Sequence, residues 1–202
     1  MNKFLVTLFL VFLLPIYFAQ AEGVSFEAAL GTPEVTLQNP NGTEAIYSGL
    51  SVSGKLYFPI YGSKFFTSNI VFSGRYIDLN NNSSTDSQQE TGNHLGFGGG
   101  LHFKVYRFTL GYNYHTVKAR HFWVGNINNQ YTEFDYNLGS YYLGLEFMFS
   151  KQFGVSLTYE TANANTVIEN NDVPYRENTY WLHLRFDTLA PIGRFLGLLF
   201  RN

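Results

Sequence analysis

The chain reads as an all-β protein, an eight-stranded antiparallel up-and-down transmembrane β-barrel. Three observations carry this. Its segments alternate strictly between apolar or aromatic residues and small or polar ones, long polar connections alternate with very short turns, and a secretory leader precedes the whole. The stretch 95–106 shows the pattern best. Leu95, Phe97, Gly99, Leu101, Phe103 and Val105 fall on one face, and Gly96, Gly98, Gly100, His102, Lys104 and Tyr106 on the other. A period of two places successive side chains on opposite sides of a strand. An aromatic face opposite one of Gly, Ser, Thr and an occasional charge is the pattern of a wall whose outside meets lipid.

Residues 1–21 read as a signal peptide: Lys3 is the positive start, Phe4 to Phe18 the apolar core, and Ala19-Gln20-Ala21 the small-x-small cleavage site. The apolar core is short for a spanning helix, which needs about 20 residues. The chain has no Cys, so neither a lipidated anchor nor a disulfide is available. The barrel is expected over 22–188, followed by a short apolar C-terminal tail over 189–202.

The first strand is expected over 24–31, with Val24, Phe26, Ala28 and Leu30 outward, followed by a loop at 32–45. The second, about 46–58, turns Leu50, Val52, Gly54, Leu56 and Phe58 outward and ends at a turn over 59–64. The third, about 65–78, presents Phe66, Ile70, Phe72 and Tyr76, and the polar stretch to His94 forms a loop. Strand four turns through Tyr106-Arg107 into strand five, with Phe108, Leu110, Tyr112 and Tyr114 outward. After a loop at 118–135, strand six shows Tyr141, Leu143, Leu145, Phe147 and Phe149. The turn 150–152 gives strand seven, with Phe153, Val155, Leu157 and Tyr159. A loop at 162–178 leads to strand eight, with Tyr180, Leu182, Leu184 and Phe186. With the N-terminus in the periplasm, all long loops lie outside the cell and all short turns inside.

Aromatics and charges fit this placement. Phenylalanines gather on the outward face at the turn end and Tyr76, Tyr114, Tyr159 and Tyr180 near the loop end, forming two girdles. The inward face carries Lys55, Arg75, Lys104 and Arg185 against Glu27, Glu146, Glu160 and Asp187, four of each sign, which predicts a neutral, salt-bridged lumen. Tyr57, Tyr106, Tyr142, Met148 and Trp181 are expected to help fill it, since eight strands leave room for side chains only. Composition agrees: 45% hydrophobic and 18% aromatic residues coexist with a mean hydropathy of −0.10, because only every second strand residue must be apolar. A net charge of −2 with no basic stripe argues against nucleic acid.

With leader, strands, girdles and charged interior in place, the chain resembles the small outer-membrane barrels typified by the OmpA transmembrane domain, OmpX and OmpW. The resemblance rests on pattern and covers 22 to about 188. It implies a bacterial outer-membrane location, contact with outer-membrane lipids and lipopolysaccharide, and delivery by the barrel-insertion machinery. Members of such families serve as envelope-stabilising proteins, adhesins, small-solute channels or lipid-modifying enzymes. One departure stands out: such barrels commonly end on an aromatic of the last strand, here Phe186, yet this chain continues to Asn202. Interfacial packing is the expected fate of the tail.

No catalytic, cofactor or metal site emerges. His94, His102, His115, His121 and His183 lack the i, i+2 spacing that brings two ligands to one strand face, and read as lumen histidines. There is no His-x-Ser pair of the lipid A deacylase kind; His115-Thr116 and His183 with Asp187 are the nearest substitutes. The Gly98-Gly99-Gly100 run lies mid-strand with no helix following, so it reads as a place for bending and lumen room. The function expected is structural or interactive: polar extracellular loops displayed from an occluded barrel, with no enzymatic activity. The alternatives are a narrow channel for small or apolar solutes and, further off, a lipid A-modifying enzyme.

Overall fold

The computed structural model describes residues 23–38, 44–63, 65–81, 90–123, 131–150, 152–168 and 171–191. The leader expected over 1–21 and the tail beyond Pro191 lie outside them. Eight strands run β1 (Gly23–Gln38), β2 (Glu44–Gly62), β3 (Phe66–Asn80), β4 (Thr91–Val105), β5 (Phe108–Phe122), β6 (Tyr131–Met148), β7 (Phe153–Ile168) and β8 (Asn171–Pro191). Each pairs antiparallel with its sequence neighbour, and β8 closes onto β1. Closure pairs every edge, as a wall facing hydrocarbon requires.

The outward face of each strand changes character at one level. From the turn end, β8 presents Phe186, Leu184, Leu182 and Tyr180, then Asn178, Arg176, Pro174 and Asp172. On β5 the order is Phe108, Leu110, Tyr112, Tyr114, then Thr116, Lys118 and Arg120. On β6, Phe147, Leu145, Leu143 and Tyr141 precede Asn137, Asp135 and Glu133. The apolar run is longest on β4, from Val105 to Leu95. At about 3.3 Å per residue and about 45° of tilt it stands roughly 25 Å tall, the height of a lipid-facing band.

The inside inverts at the same level. Below it the lumen is lined by charged side chains; above it, Val35, Leu37, Ala45, Tyr47, Ile77, Leu79, Val117, Phe134, Tyr136, Leu138, Ile168, Val173 and Tyr175 form one buried apolar cluster, with Glu90, His94 and His121 buried at the same end. The lower barrel is thus greasy outside and polar inside, and the upper barrel is the reverse, built like a water-soluble β-barrel.

Several expectations change accordingly. β1 continues past Gly31 to Gln38, β5 past Lys118 to Phe122, and the loop expected over 162–178 is almost entirely strand, with only 169–170 between β7 and β8. The strict alternation of long and short connections therefore fails at that hairpin. The β1–β2 ladder keeps its register across a gap at Thr32-Pro33, where proline offers no N–H. Val24 is buried rather than outward, because the β1–β8 register shifts between Gly23 and Ser25. Tyr106 and Met148 do not fill the lumen: Tyr106 is 61% exposed in the β4–β5 turn and Met148 is 38% exposed at the β6 end. β8 passes Phe186 and reaches Pro191, which pairs with Gly23. Gly98 and Gly100 let β4 approach β5 closely, since a Cβ there would meet the Tyr114 and Tyr112 carbonyl oxygens.

Candidate functional site

The lumen gathers most of the buried charged and polar side chains among the described residues, in tiers. At the turn end, Lys104 pairs with Glu146, whose other oxygen accepts from Arg185 Nη1 at 3.1 Å. Arg185 also donates to Asp187 at 2.7 Å and to Ser25 Oγ at 3.0 Å, and lies 5.1 Å from the Tyr57 ring. In the next tier Glu27 receives Lys55 at 3.6 Å and the Tyr57 hydroxyl at 2.8 Å, and His183 Nδ1 lies 2.7 Å away. The Lys55 ammonium sits 4.8 Å from the Tyr142 ring, and Tyr142 bonds His102 Nδ1 at 2.8 Å.

Above these, Arg75 spans the barrel from β3 to β7 and β8. It meets Glu160 at 3.3 Å and Glu177, which also accepts from Tyr175 and Thr179 at 2.7 Å each. All eight residues singled out from the sequence (Glu27, Lys55, Arg75, Lys104, Glu146, Glu160, Arg185 and Asp187) therefore lie in the lumen network. Glu177, expected in a loop, joins them as a fifth carboxylate of this network, and the buried Glu90 lies in the tier above. Charges taken out of water survive only when paired and hydrogen-bonded, as these are.

The top tier was not anticipated. His94 and His121 come together with their Nε2 atoms 2.6 Å apart, from β4 and β5, although their sequence spacing suggests no convergence. The Tyr136 hydroxyl lies 2.9 Å from His94 Nδ1, so both ring nitrogens of His94 have a polar neighbour. Trp123 Nε1–H donates to the Tyr47 hydroxyl at 2.9 Å, which donates to Glu90 at 3.0 Å; Asn81 donates to the same carboxylate at 2.8 Å. The signal for this cap was a second run of period-two alternation with the polarity reversed. Among the described residues, no group of three or more His, Asp or Glu side chains is arranged to hold a metal ion.

One hydroxyl–imidazole–carboxylate chain exists: Thr158 Oγ1 lies 2.7 Å from His183 Nε2, and His183 Nδ1 contacts Glu27. The carboxylate serving His183 is thus Glu27, while Asp187 is taken by Arg185. Both Thr158 and His183 are buried among packed lumen side chains. A relay of this kind needs a substrate carbonyl within reach of the hydroxyl.

Solved structures of similar shape share the fold. The crystal structure of Neisserial surface protein A matches 83% of this chain and 100% of its own, at 14% identity and a TM-score of 0.53. The solid-state NMR structure of outer membrane protein AlkL in DMPC lipid bilayers matches 84% of this chain and 92% of its own, at 9% identity and a TM-score of 0.50. No protein-family model matches the sequence, and no curated protein matches it. The class defined by wall, girdles and closure is the small eight-stranded transmembrane β-barrel of the outer-membrane type.

Proposed function

We propose that the protein is a bacterial outer-membrane barrel of structural or interaction type, with tight turns in the periplasm and an extracellular cap raised on an occluded lumen. The observation that carries this reading is the continuous filling of the interior. Arg75 crosses the middle of the barrel, and Trp123, Phe134, Tyr136 and Tyr175 pack above it. The surface offered to partners then includes the cap wall, with Glu34, Lys118, Arg120, Glu133, Asp135 and Arg176 outward. Lipopolysaccharide and the outer-membrane lipids are its surroundings. A buried Thr158 hydroxyl with no substrate surface supports a non-catalytic role.

Reconstitution in a planar bilayer tests the occluded lumen. The pure protein should give no reproducible single-channel steps; discrete, repeatable steps would overturn the reading. One observation favours a narrow channel instead: unpartnered buried polar atoms of Asn69, His102, Thr109, Asn113, His115 and Ser140 run along β3–β6. That strip ends beneath Ile77, Val117 and Leu138, which close it with apolar side chains. Orientation is tested separately. A thiol reagent that cannot cross the membrane should label Asn165→Cys, on the cap, in intact cells and leave Gln152→Cys unlabelled.

A further inference from the structure

A cavity of about 350 Å³ opens at the turn end, where the β2–β3 and β4–β5 turns meet the end of β6, and the Lys104–Glu146 pair of the lumen network forms part of its wall. Its wall joins two chemistries: Ser63, Thr67, Lys104, Arg107 and the Glu146 carboxylate are polar, while Phe66, Tyr106 and Phe147 lead onto the lipid-facing surface. The charges are unequal. Lys104 is matched by Glu146, which Arg185 shares, whereas Arg107 has no ion-pair partner among the described residues. A cation without a carboxylate stands at the rim.

That cation is held in place. The Arg107 guanidinium lies 5.5 Å from the Tyr106 ring centroid and 5.6 Å from that of Phe147. Contact with ring faces attracts the cation electrostatically and leaves its N–H fork free for an oxyanion. Tyr106 adopts φ 60°, in a two-residue turn with a positive φ at its first position, a place ordinarily given to glycine. A bulky aromatic in that conformation is strained, and such strain persists where a side chain has work at that point. Deeper in the wall, the Thr67 hydroxyl is buried and has no hydrogen-bond partner.

We propose that this cavity binds one glycerophospholipid of the inner leaflet, its phosphate on the Arg107 guanidinium and an acyl chain along Phe66 and Phe147. Charge-assisted bonds to phosphate are the strong ones, and arginine presents them as a fork. A free phosphate would leave the aromatic edge unused. The assignment to the inner leaflet rests on the orientation proposed above, but binding can be measured in detergent without it and without any conductance record.

The test is native mass spectrometry of the purified barrel titrated with dioleoyl phosphatidylglycerol. One lipid should be retained. Arg107→Gln should weaken retention about tenfold or more, and Arg120→Gln, at the opposite end, should leave it unchanged. Tyr106→Gly should also weaken retention while its unfolding midpoint does not fall, because glycine takes φ 60° freely. The proposal is overturned if Arg107→Gln retains the lipid as the parent does, if millimolar inorganic phosphate displaces it, or if lipid A is preferred over phosphatidylglycerol.

Discussion

Arg75 on β3 and Glu177 on β8 form an ion pair across the lumen, and Glu160 on β7 shares the same guanidinium. Two carboxylates thus depend on one buried cation. Replacing Arg75 by Met should cost about 3–5 kcal/mol, because both acids are left unpaired away from water. The triple variant Arg75→Met, Glu160→Leu, Glu177→Leu should recover most of that loss, since an apolar set of similar volume carries no desolvation cost. Urea unfolding in lipid vesicles measures both. An Arg75→Met midpoint equal to the parent's would mean that the carboxylates are satisfied without it.

The membrane boundary is sharp enough to test four residues apart. On β8, Leu182 and Tyr180 belong to the lipid-facing band, and Asn178 begins the polar cap wall. Leu182→Arg should destabilise the inserted barrel by about 2–4 kcal/mol, and Asn178→Arg by less than about 1 kcal/mol. Spin labels at Leu143 and at Glu133 on β6 should divide the same way, the first reached by oxygen dissolved in lipid and the second by a water-soluble nickel reagent. Equal accessibility at the two sites would remove the boundary.

The cap should loosen without the rest of the barrel. Trp123, Tyr47, Glu90 and Asn81 tie the ends of β2, β3, β4 and β5 by three hydrogen bonds over the apolar cluster. Trp123→Ala removes a large buried ring, a change that costs about 3–5 kcal/mol when a core cannot collapse around it. Amide exchange should quicken over 117–122 and 131–138 and stay slow over 108–114, where the wall is held by lipid. Uniform acceleration along β5 would show the two zones to be one cooperative unit.

The lower halves of the strands were legible in the sequence because lipid imposes one rule on every outward residue. Phe186, Leu184 and Leu182 alternate with Arg185 and His183. The upper halves keep the same period with the faces exchanged. In β1, Thr32, Glu34 and Thr36 point out while Val35 and Leu37 point in, so the polar residues that read as loop are the solvated side of a strand. Prolines at 33 and 174 reinforced that misreading. The pairing of Glu27 with Lys55 follows from alternation together with the β1–β2 hairpin register, in which the two stand directly opposite. The meeting of His94 with His121 depends on the β4–β5 register, and that of Arg75 with Glu177, on strands that are not neighbours, depends on closure of the cylinder, which no local pattern encodes.

Two hydroxyls on the lumen wall should respond in opposite ways to removal. Ser73 Oγ lies 2.7 Å from His115 Nε2, while Thr109 Oγ1 is buried without a protein partner. Ser73→Ala strands a ring nitrogen in the interior and should cost about 1–3 kcal/mol. Thr109→Val keeps shape and removes an unsatisfied group, so stability should hold or rise by about 1 kcal/mol. Both face the lumen, so lipid contributes little to the difference between them, and urea midpoints of the two variants in one vesicle preparation isolate the hydrogen-bond effect. A clear loss in Thr109→Val would mean that its hydroxyl bonds ordered water, and the β3–β6 side of the lumen would then be a hydrated seam beneath a closed cap.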